Sequence, residues 1–405
     1  MIVLVINAGS SSLKYQLLNM VENKVMAGGV VERIGDSLGV VTHKKFTGPT
    51  PEKFVREEKI ADHRDAMHLV ADLIIDANAG VIKNKDEINA IGHRVVQGGE
   101  DFRGATIIDA DIKKSIEKNN PLAPLHNPPN LMGIDVAEAL FPGIPNIAVF
   151  DTEFHQTMPA KAFLYALPYE FYEKMRVRRY GFHGTSHKYV ARAAAIHMDR
   201  AIDELNLITV HLGNGCSISA VEKGRCIDTS MGMTPLAGVM MGTRTGDIDP
   251  AIQRYVMENN GMTADEMDTV FNKKSGLKGI CGMNDMRDIH AAGEKGDQRA
   301  TLALDMFTYQ VKKYIGAYTA ALGRVDGIIF TAGIGENDDI VRAEVCANLS
   351  GLGMELDLEK NQGSISEPKA LHTLESRVQI WVIPTNEELQ IAQEVVDILQ
   401  TQKTP

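Results

Sequence analysis

Residues 1–15 read MIVLVINAGSSSLKY, an apolar run followed at once by a turn of small polar residues. Residues 1–6 are apolar throughout, residues 7–12 carry almost no side-chain bulk, and the alternation of a strand resumes at Leu13. Because its side chains are small, this turn lets backbone N–H groups and hydroxyls surround a phosphate, with Lys14 placed to add positive charge. The stretch therefore predicts a strand, a phosphate-binding turn and a second strand.

The same pattern occurs twice more along the chain. Residues 205–212 lead into the turn GNGCS at 213–217, and residues 326–330 lead into TAGIGEN at 331–337. Strands mixed with amphipathic helices are typical of an α/β architecture. Three strand-then-glycine turns predict two related halves that hold one polyphosphate ligand.

The composition is that of an ordinary globular protein, long enough for two or three domains of roughly 150 residues each. The net charge of −11 argues against binding to nucleic acid or to anionic membranes. The cysteines show no C-x-x-C pair, which disfavours a zinc site and a disulfide framework. Without a signal peptide or a membrane-length apolar run, we expect a soluble, cytoplasmic protein.

Two helices stand out in the hydrophobic pattern. One runs from about Ala300 to Leu322, with a predicted buried stripe at residues 304, 307, 311, 314 and 318. The last is expected to begin at Thr385, where residues 385–388 resemble a capping box. We expect this last helix to pack back on the first strand–turn unit, residues 1–151. The predicted domains are therefore residues 1–151 with 385–405, and residues 152–384.

Two arginines lie among glycines, where a guanidinium is poorly shielded. Arg94 lies between an apolar strand end and a double glycine, although a surface arginine near a turn would show the same sequence pattern. Arg244 lies in MGTRTGDIDP, where a buried or cleft-facing guanidinium is more plausible. Together they would hold a carboxylate and a transferring phosphoryl group, and they would supply the local positive charge that the composition lacks.

The densest polar cluster is RRYGFHGTSH at residues 178–187. His183 and His187 have H-x-x-x-H spacing, but no glutamate follows the first histidine and Gly184 interrupts the helix, so a zinc site is disfavoured. His183 is better suited to donate to a phosphoryl or carbonyl oxygen. His187 fits a structural histidine.

Carboxylates follow the strand at 147–150 and begin the last helix. Asp151 could position magnesium through water, orient an arginine or cap a helix. Glu387 could bind magnesium or only compensate the helix dipole. Magnesium takes one or two carboxylates with phosphate oxygens and waters, so Asn7, Asp151 and Glu387 are its candidate ligands. The triple serine has no nearby histidine or acid, which disfavours a covalent acyl-enzyme.

Ten motifs in order resemble one family over almost the whole chain. They resemble the acetate kinase family, within the superfamily of acetate and sugar kinases, heat-shock chaperones and actin. The motifs are NAGSSSLKY, GHRVVQGGE, APLHNP, VFDTEFHQTMP, RRYGFHGTSH, HLGNGCSI, DTSMGMTPL, MGTRTGDIDP, FTAGIGEN and IPTNEEL.

The resemblance implies two actin-like, ribonuclease H-like domains of duplicated topology with an active-site cleft between them, usually in a homodimer. It implies reversible transfer of the ATP γ-phosphoryl group to a short carboxylic acid, giving an acyl phosphate and ADP, with Mg²⁺ or Mn²⁺. Such acids are ionised at neutral pH, so the carboxylate can attack in line without a general base.

By motif position, the resemblance also assigns roles to residues. The catalytic group is Arg94, Asp151, His183 and Arg244, and the metal lies near Asn7 and Glu387. His126 supports the site. The nucleotide is expected to meet Ser12, Lys14, His211, Gly213, Asn214, Gly215, Asp285, Met286, Arg287, Gly333, Ile334, Gly335 and Asn337.

The acid's alkyl group is expected against Val96, Leu125, Phe182 and Pro235, beside Arg94. A valine at 96 favours acetate over propionate or butyrate, which stay as alternatives together with a non-catalytic actin-like ATPase. The commonest family pattern has another residue at four positions: Gln97, Ala237, Thr245 and Ala332. None of them removes a proposed catalytic group, but Gln97 and Ala332 are expected near the substrate and nucleotide sites, so the affinities stay open there.

Overall fold

Two mixed sheets and their covering helices make up the computed structural model, which describes residues 1–48 and 50–401. The strands are β1 (Ile2–Ala8), β2 (Ser12–Asn19), β3 (Lys24–Glu32), β4 (Gly39–Lys45), β5 (Glu52–Glu58), β6 (Ala90–Val95), β7 (Thr106–Ile107), β8 (Asn146–Phe150), β9 (Asn206–Leu212), β10 (Cys216–Glu222), β11 (Arg225–Thr229), β12 (Gly327–Thr331), β13 (Lys369–Ala370) and β14 (Gln379–Val382). The helices are α1 (His63–Leu73), α2 (Ala110–Lys118), α3 (Asn127–Leu140), α4 (Ala160–Phe163), α5 (Tyr169–Met175), α6 (Gly184–His197), α7 (Ala251–Asn260), α8 (Ala264–Lys273), α9 (Gly276–Cys281), α10 (Met286–Glu294), α11 (Gln298–Leu322), α12 (Ala332–Asn337), α13 (Asp339–Cys346) and α14 (Glu387–Thr401).

Internal contacts divide the chain into two units. Unit 1 comprises Met1–Glu153 together with the segment from Asn386 onward, and unit 2 comprises Phe154–Thr385. In the part of the chain that the structure describes, no helix has the length and apolar character needed to cross a membrane.

The sheet of unit 1 has the order β5-β4-β3-β2-β1-β6-β8-β7. β1, β6 and β8 run parallel, and the other neighbours pair antiparallel. β1 is apolar because both of its faces are covered: Val3 and Val5 pack with α14, whereas Leu4 and Ile6 pack with α1 and α3.

Helix α14 lies against this sheet because Gly92 leaves room for it. A Cβ at Gly92 would come within 2.8 Å of Ile391 Cγ2. The predicted start of the helix at Thr385 was wrong. Asn386 caps it instead, since its Oδ1 accepts from Leu389 N at 3.0 Å and α14 begins at Glu387.

The sheet of unit 2 repeats the core of the first. Its order is β11-β10-β9-β12-β14-β13, with an antiparallel β11-β10-β9 meander followed by parallel β12 and β14. In unit 1 the strands β3-β2-β1-β6-β8 have the same order and directions. Each sheet ends at one edge in a short antiparallel strand, β7 in the sheet of unit 1 and β13 in the sheet of unit 2. The prediction of an α/β fold with duplicated, ribonuclease H-like topology is confirmed.

Helix α11 is the longest helix that the structure describes, at 25 residues. It begins two residues before the predicted start because Asp297 accepts from the N–H groups of Arg299 and Ala300. Its buried face includes Phe307, Val311 and Tyr318, as predicted. Residues 304 and 314 are only half-buried, since residues 303 and 315 lie at the centre of the stripe.

Candidate functional site

In unit 1, three parallel strands end beside one another and bring Asn7, Arg94 and Asp151 together. Arg94 lies near the end of β6 and donates from Nε to Asp151 Oδ1 at 3.0 Å, while its Nη2 makes a second, short bond to Oδ2. Its Nη1 donates to Asn7 Oδ1, near the end of β1, at 3.3 Å. The bidentate pair fixes the guanidinium plane, and Asp151 is almost fully buried.

The first turn of α14 adds two carboxylates to this cluster. Burial raises the pKa of Glu387 to about 7, and the positive charge of Arg94 opposes that shift. Burial disfavours the charge of Arg94, but Asp151 and Glu387 outweigh burial and raise the pKa of Arg94 overall. Glu388 pairs with Lys14. Each cation of this cluster therefore has a carboxylate partner.

The oxygens of Asn7 and Glu387 suit a hard cation. Mg²⁺ prefers oxygen ligands and completes its shell with waters and phosphate oxygens. The Asn7 Oδ1 atom has two lone pairs, so it can accept from Arg94 and also bind a cation. Within the described ranges, no group of three or more His, Cys, Asp or Glu side chains is arranged to hold a metal ion.

The turn of residues 9–12 is tight. Gly9 N donates to Ser12 O at 2.8 Å, and Asn7 pairs with Lys14 across the β1–β2 hairpin. The imidazole of His63 at the start of α1 lies with Nε2 2.6 Å from Gly9 O. These contacts hold a small, polar turn at the end of the strand.

Two predicted pocket residues of unit 1 differ in exposure. Val96 is 6% exposed, whereas Leu125, in the loop before α3, is 70% exposed. Gln97 is fully buried; its Oε1 accepts from Gly99 N, and Asn127 bonds its backbone N–H and C=O at 3.0 and 2.9 Å.

In unit 2, His183 caps α6 in a left-handed backbone conformation, with φ of +57°. Its Nδ1 lies 2.8 Å from Ser217 Oγ, and its ring stacks on His211 with centroids 4.2 Å apart. Ser217 Oγ also lies 2.8 Å from Nε2 of His187. Burial holds the pKa of His187 well below its ordinary value, so this ring is neutral.

Arg244 lies beside His183 at the second glycine turn. A Cβ built on Gly215 would lie 3.4 Å from His183 Nε2 and 3.6 Å from Arg244 Nη1, so both groups converge on this glycine. The Nη1 of Arg244 donates to Pro235 O at 2.9 Å. Within residues 1–48 and 50–401, Arg244 forms no ion pair, and burial lowers its pKa. It is a half-buried guanidinium open to an anion.

A cavity of 560 Å³ lies next to this turn. Most of the residues predicted for the nucleotide line it: Gly213, Asn214, Asp285, Met286, Arg287, Gly333, Ile334 and Asn337. His211, Gly215 and Gly335 are not among its lining residues. Phe182 is buried, and Pro235 lies beside Arg244 rather than in this cavity.

Five lining residues were not predicted: Asn284, His290, Asp338, Asp339 and Ile340. Two of them form a pair. Nε2 of His290 on α10 lies 2.7 Å from Oδ2 of Asp338, the residue that caps α13. The hydrogen bond with Asp338 raises the pKa of His290. The pair joins two walls of the cavity.

The profile of the acetokinase family matches residues 2–393. The chain belongs to the acetokinase family. It is 60% identical to acetate kinase of Oleidesulfovibrio alaskensis over 98% of this chain and 99% of that protein. Its structure is similar to that of acetate kinase from Porphyromonas gingivalis, with a TM-score of 0.94 and 44% identity over 98% and 99% of the two chains. It is also similar to a propionate kinase from Francisella tularensis, with a TM-score of 0.90 and 42% identity over 97% and 98%. The fold is thus the actin-like fold of this family.

Proposed function

We propose that the protein is a Mg²⁺-dependent acetate kinase, which transfers the γ-phosphoryl group of ATP reversibly to acetate and gives acetyl phosphate and ADP. Membership of the acetokinase family makes the chain a phosphotransferase with a carboxyl group as acceptor. The observation that carries the chemistry is Arg244, a half-buried guanidinium that lies next to His183 and has no carboxylate partner among the described residues. Both lie at a glycine turn that borders the 560 Å³ cavity, which we propose as the nucleotide cavity.

The proposed reaction needs positive charge and positioning rather than a nucleophile on the protein. Phosphoryl transfer passes through a loose transition state whose charge is spread over three oxygens. Arg244 and His183 would donate to those oxygens. Arg94, whose guanidinium plane is fixed by its bidentate pair with Asp151, would orient the acetate carboxylate. Mg²⁺, held by Asn7 and Glu387, would neutralise phosphate charge when bound.

Both units carry residues with proposed roles in this reaction. Unit 1 carries Arg94, Asp151 and the metal ligands, and unit 2 carries Arg244, His183 and the nucleotide cavity. Ser12 and Lys14, at the first turn, would contact the nucleotide phosphates.

Acetate is the proposed substrate because Val96 is buried at a position expected beside the alkyl group. One methylene changes binding by only about 1–3 kcal/mol, so a single valine gives modest selectivity. The similarity to a propionate kinase structure supports propionate as the second candidate. The ratio of kcat/KM for acetate, propionate and butyrate separates the two.

We also propose a cytoplasmic homodimer. All four cysteines are free, as in a reducing compartment. The segment around α5 exposes several large apolar side chains, which supports self-association through this segment: Leu167, Tyr169, Phe171 and Met175. The net charge of −11 supports partners other than nucleic acid.

The test is to trap the acyl phosphate. With acetate, ATP, Mg²⁺ and hydroxylamine, the protein is expected to form acetyl hydroxamate and ADP in equal amounts. Arg244→Ala provides the matched control for a contaminating kinase. Trapping no hydroxamate from acetate, propionate or butyrate would overturn the function. ATP-dependent filaments without acyl phosphate would instead indicate the actin-like alternative.

A further inference from the structure

The strands β1 and β6 separate at the end of their ladder, next to the Arg94 cluster. Their parallel pairing ends at Ile6 and His93. The pairing of β6 with β8 continues further, to Val95 and Phe150. Asn7 and Arg94 thus extend from two strands that no longer bond each other through their backbones. In parallel sheets, ligands bind where adjacent strand ends diverge.

The side chain of Asn130 occupies this gap. It is 3% exposed; its Nδ2 donates to Ala8 O at 2.7 Å, and its Oδ1 accepts from Val96 N at 3.0 Å. A carboxamide has the same donor and acceptor as a peptide group. The amide of Asn130 therefore takes the place of a ladder bond between the two strands.

Helix α3 is built to bring this amide into place. Asn130 lies in its first turn, after two prolines that preset the backbone of the helix start. One turn later, a Cβ at Gly133 would lie only 3.0 Å from Ala8 Cβ, so a glycine permits the close approach of α3 to β1. Asn127, on the same face, accepts from the backbone N–H of Gln97 and donates to its backbone C=O.

We propose that Asn130 is a positioning residue that sets the separation between Asn7 and Arg94. Ala8 directly follows Asn7, and Val96 lies two residues after Arg94. The role rests on the proposed function, because it assigns Asn7 to the metal and Arg94 to the carboxylate. Through its two bonds, Asn130 couples the metal ligand to the acetate pocket.

The test compares Asn130→Ala with Asn127→Ala. Both variants remove a buried amide of α3 that donates to and accepts from backbone groups outside the helix, but the bonds of Asn127 to Gln97 leave β1 untouched. Asn130→Ala is expected to raise both the KM for acetate and the half-saturating Mg²⁺ concentration about tenfold, as for residues that orient metal ligands. Asn127→Ala is expected to leave the Mg²⁺ response unchanged. Equal effects of the two variants on Mg²⁺ would overturn the proposal.

A second variant provides a readout that needs no catalysis. Asn130→Asp keeps an acceptor for Val96 N but places an oxygen against Ala8 O. Amide hydrogen exchange at Val96 is expected to stay slow in Asn130→Asp and to become fast in Asn130→Ala, while both variants lose Mg²⁺ affinity. Slow exchange at Val96 in Asn130→Ala would overturn the proposal even if no acyl phosphate is ever trapped. Failure of the hydroxamate assay with this exchange pattern intact would overturn only the function.

Discussion

Nδ1 of His183 lies 2.8 Å from the hydroxyl oxygen of Ser217. The same hydroxyl lies 2.8 Å from Nε2 of His187, a neutral buried ring. A serine hydroxyl has one proton, so it donates to one ring and accepts from the other. Ser217 thereby orients His183, links its tautomer to that of His187 and leaves Nε2 of the His183 ring facing Gly215 and Arg244.

Replacing Ser217 by alanine is expected to lower kcat about tenfold, since the bond contributes about 1.4 kcal/mol to positioning. The KM for ATP should change little, because Ser217 does not line the cavity proposed for the nucleotide. Steady-state kinetics check this. Ser219→Ala is the control, since it removes a buried hydroxyl of the same strand that bonds Thr229 rather than a histidine. An equal loss of kcat in the two variants would contradict a specific role for Ser217.

Replacement of Arg94 and of Arg244 is expected to change the stability of the protein to different extents, although both arginines are proposed to serve the reaction. Arg94→Ala leaves Asp151 buried without its partner and should lower the free energy of unfolding by about 3 kcal/mol. Arg244→Ala removes a guanidinium that has no ion pair with the described part of the chain, and it should leave stability nearly unchanged. Both should reduce kcat/KM at least about a hundredfold.

Urea unfolding followed by circular dichroism measures the change in unfolding free energy. A coupled assay of ADP formation measures the loss of kcat/KM. Arg244→Lys keeps the charge without the planar fork, so it should recover only part of the activity. Near-normal turnover in Arg244→Ala would remove the central assignment of the site.

The sequence was sufficient to predict features that depend on local pattern. Apolar runs that end in glycine turns locate β1, β9 and β12, because such strands are buried on both faces. Strand ends also indicate Arg94 and Asp151, because the ends of parallel strands meet at one edge of a sheet.

Contacts between distant segments could not be predicted in this way. Asn130 bonds Val96 and Ala8, which lie 34 and 122 residues away in the chain. No periodicity encodes such a pair. The cap of α14 was missed for a different reason: Thr385 and Asn386 are both good capping residues, and the backbone path decides between them.

Ala332 is expected to be a strained residue. It has φ of +65°, in the left-handed region where a side chain costs about 1–2 kcal/mol and where glycine is free of strain. Ala332→Gly should therefore raise the free energy of unfolding by up to about 1 kcal/mol, after the entropy of the added glycine is subtracted. Because its backbone N–H can still donate to Glu336 Oε1, the KM for ATP should stay near that of the wild type. Urea unfolding with matched kinetics measures both, and a loss of stability would contradict the strain.

The His290–Asp338 pair predicts a pH dependence of stability in unit 2. The bond to Asp338 raises the pKa of His290 in the folded state above the unfolded value of about 6.5. The folded state therefore binds the proton more tightly, so the pair stabilises it fully below about pH 6.5. That contribution is lost as the pH rises through the folded-state pKa.

The stability difference between the wild type and His290→Gln should accordingly be largest at low pH and shrink at alkaline pH. Thermal unfolding from about pH 5.5 to about pH 9, an interval that includes the unfolded-state pKa, measures the difference. Glu294→Gln is the control, because that carboxylate acts on His290 only through weaker charge attraction. A difference that is independent of pH would mean that His290 acts through packing alone.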